Sequence, residues 1–358
     1  MPLRKCSTES VGVTSIFIPK ISRLLPANKQ KNERGNRLPM RNLRQSHPFL
    51  ERLRDAPLCL AHRGASAFWP ENTLEAAEAG FKAGAQAWEF DVQLTRDGHA
   101  VVIHDESLER TTDVSIKFKN DFRAKSGFMV RDFDLSEIQS LDAGHWFIET
   151  GNKYRNAAYY GNRDNLSRDL IATLSIGAGR ITVPTLSQAL ALTIELGWFA
   201  NVELKDFKGF TDSDRLLKTV YETITRMRCE RRLLVSSFNH DLLRRLRKRD
   251  DQLTLGLLTD VPLAELELII CNQVGADTYH CSSAMLGVGT DEPKRAEKIQ
   301  DVGLLAQRDI LERLRFLAIP TLVYTVNQAA DAQKLLQIGP VSIFSDDVQA
   351  ILEIMNHP

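Results

Sequence analysis

The chain has few cysteines and no long hydrophobic run, and each of these features excludes a class of protein. Its five cysteines are widely spaced and form no CxxC pair. This excludes a disulfide framework and a thiolate zinc site, and indicates reduced thiols in a cytoplasmic protein. No stretch approaches the ~18 consecutive apolar residues of a membrane-spanning helix. We therefore expect no transmembrane segment, with peripheral membrane contact as the closest association with lipid.

The chain also lacks a net charge, with 46 basic and 46 acidic residues, but its two parts differ in sign. Residues 1–48 carry a net charge of +8 and the remainder carries −8. An acidic body argues against nucleic acid as a partner, because a duplex binder needs a basic face for the phosphates. The first part is rich in proline and poor in periodic pattern, so we expect residues 1–54 to form a basic tail outside the core and residues 55–358 to form one domain.

Short apolar runs with strand character begin after residue 57 and recur to the end of the chain. The second and third runs are separated by a few residues that include Asp97-Gly98, a strong hairpin signal, so the third run is expected to pair antiparallel to the second. Eight runs then remain as parallel strands. The nine runs are 58–62, 86–92, 100–104, 199–204, 232–236, 254–258, 276–280, 320–326 and 341–345.

Helical segments alternate with these strands, which favours an α/β fold, namely a (β/α)8 TIM barrel with a β-hairpin at its mouth. The stretch from about 106 to 183 is far longer than an ordinary βα connection. We interpret it as an inserted lid segment at the C-terminal mouth. The predicted helices are 72–84, 185–197, 212–229, 239–250, 261–275, 309–318, 328–338 and 347–356.

Polar residues cluster where the predicted strands end, which in a barrel is the rim that carries active sites. Glu89 and Asp91 are two apart on one strand and therefore point to the same side. A cation between them would relieve their repulsion, and Glu203 could supply a third oxygen ligand; an all-oxygen set suits Mg²⁺ or Ca²⁺ better than Zn²⁺. The alternative is a structural ion network in which these carboxylates pair with Arg63 and Lys205.

Other polar residues at the same rim have the chemistry of proton transfer and anion binding. His62 and His104 are candidate acid and base, since imidazole titrates near neutrality. Arg63 and Lys205 could hold a phosphate or carboxylate. Residues 70–73 open the first helix, with Asn72 as the expected N-cap.

These motifs occur in an order that resembles the glycerophosphodiester phosphodiesterase family, and the resemblance extends from 58 to 351. Each motif alone is short, but the ordered series is specific. The motifs are His62-Arg63-Gly64, Pro70-Glu71-Asn72-Thr73, Glu89-Phe90-Asp91-Val92, Thr95-Arg96-Asp97-Gly98, His104-Asp105, Arg110-Thr111-Thr112, Glu203-Leu204-Lys205, Ser237-Phe238, Thr325-Val326-Asn327 and Ser345-Asp346-Asp347.

The resemblance implies a (β/α)8 barrel and divalent-metal-dependent hydrolysis of glycerophosphodiesters to sn-glycerol 3-phosphate and an alcohol. It assigns His62 and His104 as the acid/base pair, and Glu89, Asp91 and Glu203 as ligands of Mg²⁺ or Ca²⁺. The expected substrate contacts are Arg63, Lys205, Glu71, Asn72, Phe238 and Tyr324, the last at a position where the family usually has Trp.

Two alternatives remain open at this point. A lysophospholipase D would share the chemistry but need an apolar groove for an acyl chain, to which aromatic residues of the insertion could contribute; those aromatics could equally form a small core of their own. A catalytically silent module that only binds phosphodiesters is the other alternative. The presence of both histidines and all three carboxylates argues against that module.

Overall fold

Residues 47–150, 180–207, 212–289 and 304–357 are described by the computed structural model, and they form a closed barrel. Eight parallel strands run in the order β1-β2-β4-β5-β6-β7-β8-β9, and β9 pairs with β1 to close the sheet. The strands are β1 Cys59–His62, β2 Ala87–Leu94, β3 Ala100–Val102, β4 Ala200–Leu204, β5 Leu233–Ser237, β6 Thr254–Thr259, β7 Thr278–Ser282, β8 Thr321–Tyr324 and β9 Ser342–Ser345.

The short strand β3 pairs antiparallel to β2, with Val92 opposite Val102. The predicted hairpin is therefore confirmed, as is the (β/α)8 fold. The barrel strands are buried along almost their whole length because helices cover their outer face. This explains why they stand out in the sequence as short apolar runs and not as alternating patterns.

Helices follow the strands around the outside of the barrel. The predicted helix 261–275 is shorter than expected: Glu265 has a left-handed φ of 56°, so regular structure begins after it as α9, which continues into a π-helical turn over Ile269–Val274. The α-helices are α1 Pro48–Asp55, α2 Leu74–Lys82, α3 Val114–Lys117, α4 Leu135–Gln139, α5 His145–Thr150, α6 Leu186–Glu195, α7 Ser213–Met227, α8 His240–Arg249, α9 Leu266–Leu268, α10 Leu304–Phe316, α11 Ala329–Ile338 and α12 Val348–Asn356. Of the helices so described, none has both the length and the apolar character to cross a bilayer.

Helix α1 lies within the segment that composition assigns to the tail, and it packs on the barrel. Phe49 is fully buried and stacks on Phe199 with ring centroids 4.9 Å apart. It also belongs to a cluster with Leu60 and Ala87, which precede His62 and Glu89 by two residues and so face the same side. Helix α1 therefore covers the N-terminal end of the barrel. Residues 48–54 belong to the barrel and not to the tail.

The described part of the insertion has a hydrophobic core of its own. Phe128 and Phe133 are buried there and pack with Val101 and Ile103 of the hairpin and with Ile181. This favours the small-core interpretation for Phe128 and Phe133, whereas Phe122 is 79% exposed. The predicted lid function falls partly on residues 151–179, which lie outside the described residues.

Candidate active site

Three buried carboxylates meet at the C-terminal ends of β2 and β4. Glu89 and Asp91 project from the same side of β2, and Asp91 lies opposite Glu203 in the sheet register. One oxygen from each side chain lies within 4.8 Å of the others. All three residues are less than one-tenth exposed. Such a set fits a divalent cation with oxygen ligands.

Two basic side chains neutralise part of this cluster. Lys205 Nζ lies 2.7 Å from Glu203 and 3.4 Å from Asp91, and Arg63 Nε lies 3.3 Å from Asp91. Although burial opposes it, Lys205 and Arg63 hold the pKa of Asp91 well below its usual range. The ion pairs of the structural alternative are therefore present, but they account for Asp91 and Glu203 better than for Glu89.

Glu89 is the carboxylate that these ion pairs leave under-satisfied. The Arg63 backbone N–H donates to Oε2 at 3.1 Å, whereas Oε1 is buried and has no hydrogen-bond partner among the described residues. Burial, together with the charges of Asp91 and Glu203, raises the pKa of Glu89 well above its usual value. A cation beside Glu89 would offset this concentration of negative charge, so the residues present fit a bound metal ion.

His62 ends β1 and faces the cluster, with its Nε2 3.9 Å from Glu89 Oε2. Its Nδ1 lies 2.6 Å from Asp346 Oδ1, and Asp346 in turn accepts hydrogen bonds from Ser66 at 2.8 Å and Asn327 at 2.7 Å. Although burial opposes it, His62 and Ser66 lower the pKa of Asp346 to about 2. A carboxylate thus fixes the ring of His62 from the side away from Glu89.

His104 follows β3 and has a partner of the same kind. Its Nδ1 lies 2.6 Å from Oδ1 of the next residue, Asp105. Arg110 donates to both oxygens of Asp105, at 2.5 and 3.0 Å. The Gln93 amide donates to three successive backbone carbonyls, including that of His104, and so fixes the turn. His104 lines the same small cavity as Asn72, whose amide donates to Asp91 of the carboxylate cluster at 2.8 Å.

Glu71 connects the two sides of this site. Its carboxylate accepts from Arg63 at 2.9 Å and from two nitrogens of Arg110 at 2.7 Å each. These arginines lower the pKa of Glu71 despite its burial. Arg63 has a left-handed φ of 55°, and a Cβ on the following Gly64 would lie 2.4 Å from the backbone of Ala76. Only glycine fits at position 64, which explains the residue after Arg63 in the first motif.

Asn72 is not the helix cap that the sequence predicts. Thr73 caps α2 instead, because its Oγ1 accepts the backbone N–H of Ala76 at 3.1 Å. Asn72 has a φ of 60°, which turns its amide toward β2; Nδ2 donates to Asp91 at 2.8 Å and Oδ1 accepts the Asp91 backbone N–H at 3.2 Å. Asn72 therefore orients a carboxylate of the cluster.

Comparison with known proteins bears on the same residues. The sequence model of the Glycerophosphoryl diester phosphodiesterase family matches residues 62–350. This span includes both histidines and the carboxylate cluster. The chain belongs to this family. It is therefore an enzyme, a phosphoric diester hydrolase.

Individual members of the family agree with this over most of their length. A glycerophosphodiester phosphodiesterase of Caldanaerobacter subterraneus subsp. tengcongensis is 28% identical over 302 residues, which make up 83% of this chain and 97% of that protein. A phosphodiesterase of Oleispira antarctica, solved in complex with the product sn-glycerol-3-phosphate, has a TM-score of 0.61 at 22% identity and covers 84% of this chain and 98% of its own. A glycerophosphodiester phosphodiesterase structure from Agrobacterium tumefaciens has a TM-score of 0.55 at 22% identity, with 83% and 99% covered. The two structures support the barrel fold.

Across the mouth from the charged residues lies an aromatic pair. The rings of Phe238 and Tyr324, at the ends of β5 and β8, are 6.0 Å apart and nearly perpendicular. Phe238 is 44% exposed, while the Tyr324 hydroxyl donates to the Thr259 carbonyl at 2.8 Å. The barrel thus brings every expected site residue of this family member to one mouth.

Sequence reasoning gave no role to the residues behind the two histidines. Asp105 stands beside His104 in the chain, and a carboxylate next to a candidate catalytic histidine is a signal that could have identified it. Asp346 is 284 residues from His62. Its role becomes visible only when β9 pairs with β1.

Proposed function

We propose that the protein hydrolyses glycerophosphodiesters to sn-glycerol 3-phosphate and an alcohol, with Mg²⁺ or Ca²⁺ bound by Glu89, Asp91 and Glu203. In this proposal His62 and His104 are the general acid and base. The observation that carries it is the presence of two histidines, each hydrogen-bonded through Nδ1 to a carboxylate, beside one buried carboxylate cluster.

The carboxylate partners leave each histidine with one nitrogen for chemistry. Asp346 holds Nδ1 of His62 and Asp105 holds Nδ1 of His104, both at 2.6 Å. In each ring Nε2 is then the nitrogen that exchanges a proton, and the carboxylate stabilises the imidazolium that forms.

Substrate binding and bond cleavage follow from these assignments. Arg63 and Lys205 would bind the nonbridging phosphate oxygens, and the cation, when bound, would withdraw charge from phosphorus. One histidine removes a proton from the nucleophile as it attacks phosphorus. The bond between phosphorus and the alcohol oxygen breaks, and the other histidine protonates that oxygen. We assign Glu71 and Asn72 to orienting Arg63 and Asp91, and Phe238 and Tyr324 to the apolar wall for the substrate.

The test is a panel of glycerophosphodiesters and lysophospholipids, assayed for release of sn-glycerol 3-phosphate with Mg²⁺, with Ca²⁺ and with EDTA. Glu89→Gln keeps the side chain's shape but removes the charge that binds the cation. We expect it to lower kcat/KM by at least ~10²-fold, because a catalytic metal supplies several kcal/mol of charge stabilisation. Glu78→Gln, on the exposed surface of α2, is the control and should retain activity. Full activity in EDTA after exhaustive dialysis would contradict the proposed metal dependence.

The same panel separates this function from that of a lysophospholipase D. Phe128 and Phe133 of the insertion are buried in its own core, and of the insertion's described phenylalanines only Phe122 is largely exposed. This supports small soluble diesters as the preferred substrates. Faster release from lysophospholipids than from glycerophosphocholine would reverse that preference.

A further inference from the structure

Three buried polar atoms on neighbouring strands, one of them in the carboxylate cluster, have no hydrogen-bond partner in the described part of the chain. They are Glu89 Oε1, Asn201 Oδ1 and Ser236 Oγ. Each residue is at most 3% exposed. A polar atom buried without a partner costs free energy, so three on adjacent strands point to a bound polar molecule.

The sheet register places these atoms on adjacent strands and on the same face. Asn201 of β4 lies opposite Glu89 of β2 and precedes Glu203 by two residues, so it points into the barrel as Glu203 does. Ser236 of β5 lies opposite Glu203. On the next strand Gly256 lies opposite Ser236, and the space in front of Gly256 is filled by the side chains of His280 and Leu234.

The hydrogen-bonding capacities of the three atoms match those of one water molecule. Glu89 Oε1 and Asn201 Oδ1 can only accept, whereas the Ser236 hydroxyl can donate. A water donates two hydrogen bonds and accepts others, and buried waters typically make about three. A single water would therefore satisfy all three atoms.

We propose that Asn201 and Ser236 are positioning residues, which hold a buried water against Glu89 and so fix that carboxylate in the orientation that binds the cation. This proposal rests on the cation site of the proposed function. Groups that orient metal ligands typically change metal affinity by 10–100-fold when they are removed. Because both residues would hold the same water, losing either should have nearly the whole effect.

The experiment compares two buried serines that are neighbours on β5. Ser236→Ala removes a hydroxyl that has no partner among the described residues, and Ser237→Ala removes one that donates to the Leu204 carbonyl at 2.9 Å. Calorimetric titration with Mg²⁺ and with Ca²⁺ measures cation affinity in chelator-treated, full-length proteins. The proteins are the wild type, both serine variants, Asn201→Leu and the Asn201→Leu/Ser236→Ala double variant. Melting temperature without cation reports folding independently of activity.

We expect Ser236→Ala and Asn201→Leu to weaken cation binding by about 10–100-fold, and the double variant to be little weaker than either. Ser237→Ala should leave affinity unchanged while lowering the melting temperature. Equal affinity for wild type and Ser236→Ala overturns the proposal, as does equal weakening by Ser236→Ala and Ser237→Ala. If Asn201→Leu does not fold, the serine pair still decides. A wild type that binds neither cation contradicts the proposed function itself, which is a distinguishable result.

Discussion

The two candidate catalytic histidines have the same partner chemistry but are assembled in different ways. His104 and Asp105 are neighbours in the chain, and Arg110 secures their carboxylate from five residues away. His62 and Asp346 come from opposite ends of the domain and meet because β9 pairs with β1. The first pair needs only a local turn, whereas the second needs a closed barrel.

Because of this difference, substitutions in the two pairs can distinguish an effect on catalysis from an effect on folding. Breaking the local pair removes a carboxylate that also accepts from Arg110, but these contacts stay within one partly exposed turn, where His104 is 31% exposed. Breaking the distant pair also removes hydrogen bonds from Ser66 and Asn327, which tie β1, β8 and β9 together at the mouth. Matched substitutions in the two pairs should therefore have similar effects on catalysis and different effects on stability.

The largest effect is expected from removing the histidines themselves. His62→Ala and His104→Ala should each lower kcat by ~10²–10⁴-fold, because each removes a general acid or base. We expect His104, the more exposed of the two, to protonate the leaving alcohol. The fall in kcat caused by His104→Ala should then be smaller on an activated aryl diester than on glycerophosphocholine. His62→Ala should lower kcat by the same factor on both substrates. Steady-state rates on the two substrates measure this, and equal losses by His104→Ala would contradict the assignment.

A smaller effect is expected from the carboxylates behind the histidines. Asp105→Asn and Asp346→Asn should each lower kcat by about 10²-fold with little change in KM, since a neutral amide stabilises the imidazolium less. Only Asp346→Asn should also lower the melting temperature clearly. Unchanged kcat in both variants would show that these carboxylates serve the fold alone. A similar loss of stability in both would remove the contrast between the local and the distant pair.

How much of this site can be predicted from the sequence also depends on whether a contact is local or joins distant parts of the chain. The strands and the Asp97-Gly98 hairpin were predictable because burial on both faces leaves short apolar runs and because turn chemistry is local. The cluster of Glu89, Asp91 and Glu203 was predictable because residues at strand ends meet at one rim.

What could not be predicted depends on tertiary contacts. Asn72 was expected to cap α2, but its left-handed backbone turns it to Asp91, a contact that appears only once β2 lies beside α2. Helix α1 was assigned to the tail because the composition around it is basic and rich in proline. The burial of Phe49 against Phe199 outweighs that composition.

A third histidine contrasts with His62 and His104 because burial, and not a carboxylate partner, determines its protonation. His280 on β7 is fully buried, its Nε2 lies 2.9 Å from the Thr278 hydroxyl, and burial lowers its pKa to about 3. The unfolded chain binds a proton at this residue below pH 6.5, whereas the folded chain does so only near pH 3. Stability from this site is thus complete above pH 6.5 and is lost as the pH falls.

His280→Gln should reduce the pH dependence of stability between pH 6.5 and 4. Below pH 6.5 the free energy of unfolding of the wild type should fall by up to about 1.4 kcal/mol per pH unit more than that of the variant. Urea unfolding at several pH values measures both slopes. Parallel slopes would mean that His280 is protonated as readily in the folded chain as in the unfolded one.

The smallest effect on catalysis is expected from removing residues 1–46, because both histidine–carboxylate pairs lie beyond them. A chain that begins at His47 retains the cap of α1, where Nδ1 of His47 accepts the Leu50 backbone N–H. It should fold and keep kcat/KM on a soluble diester, while any binding of the full chain to anionic vesicles should weaken with added salt.

A chain that begins at Ala56 is the control: it loses the buried Phe49, so it should be less stable by about 3–5 kcal/mol. If the chain from His47 folds normally but no longer cleaves a soluble diester that the full chain cleaves, residues 1–46 belong to the site.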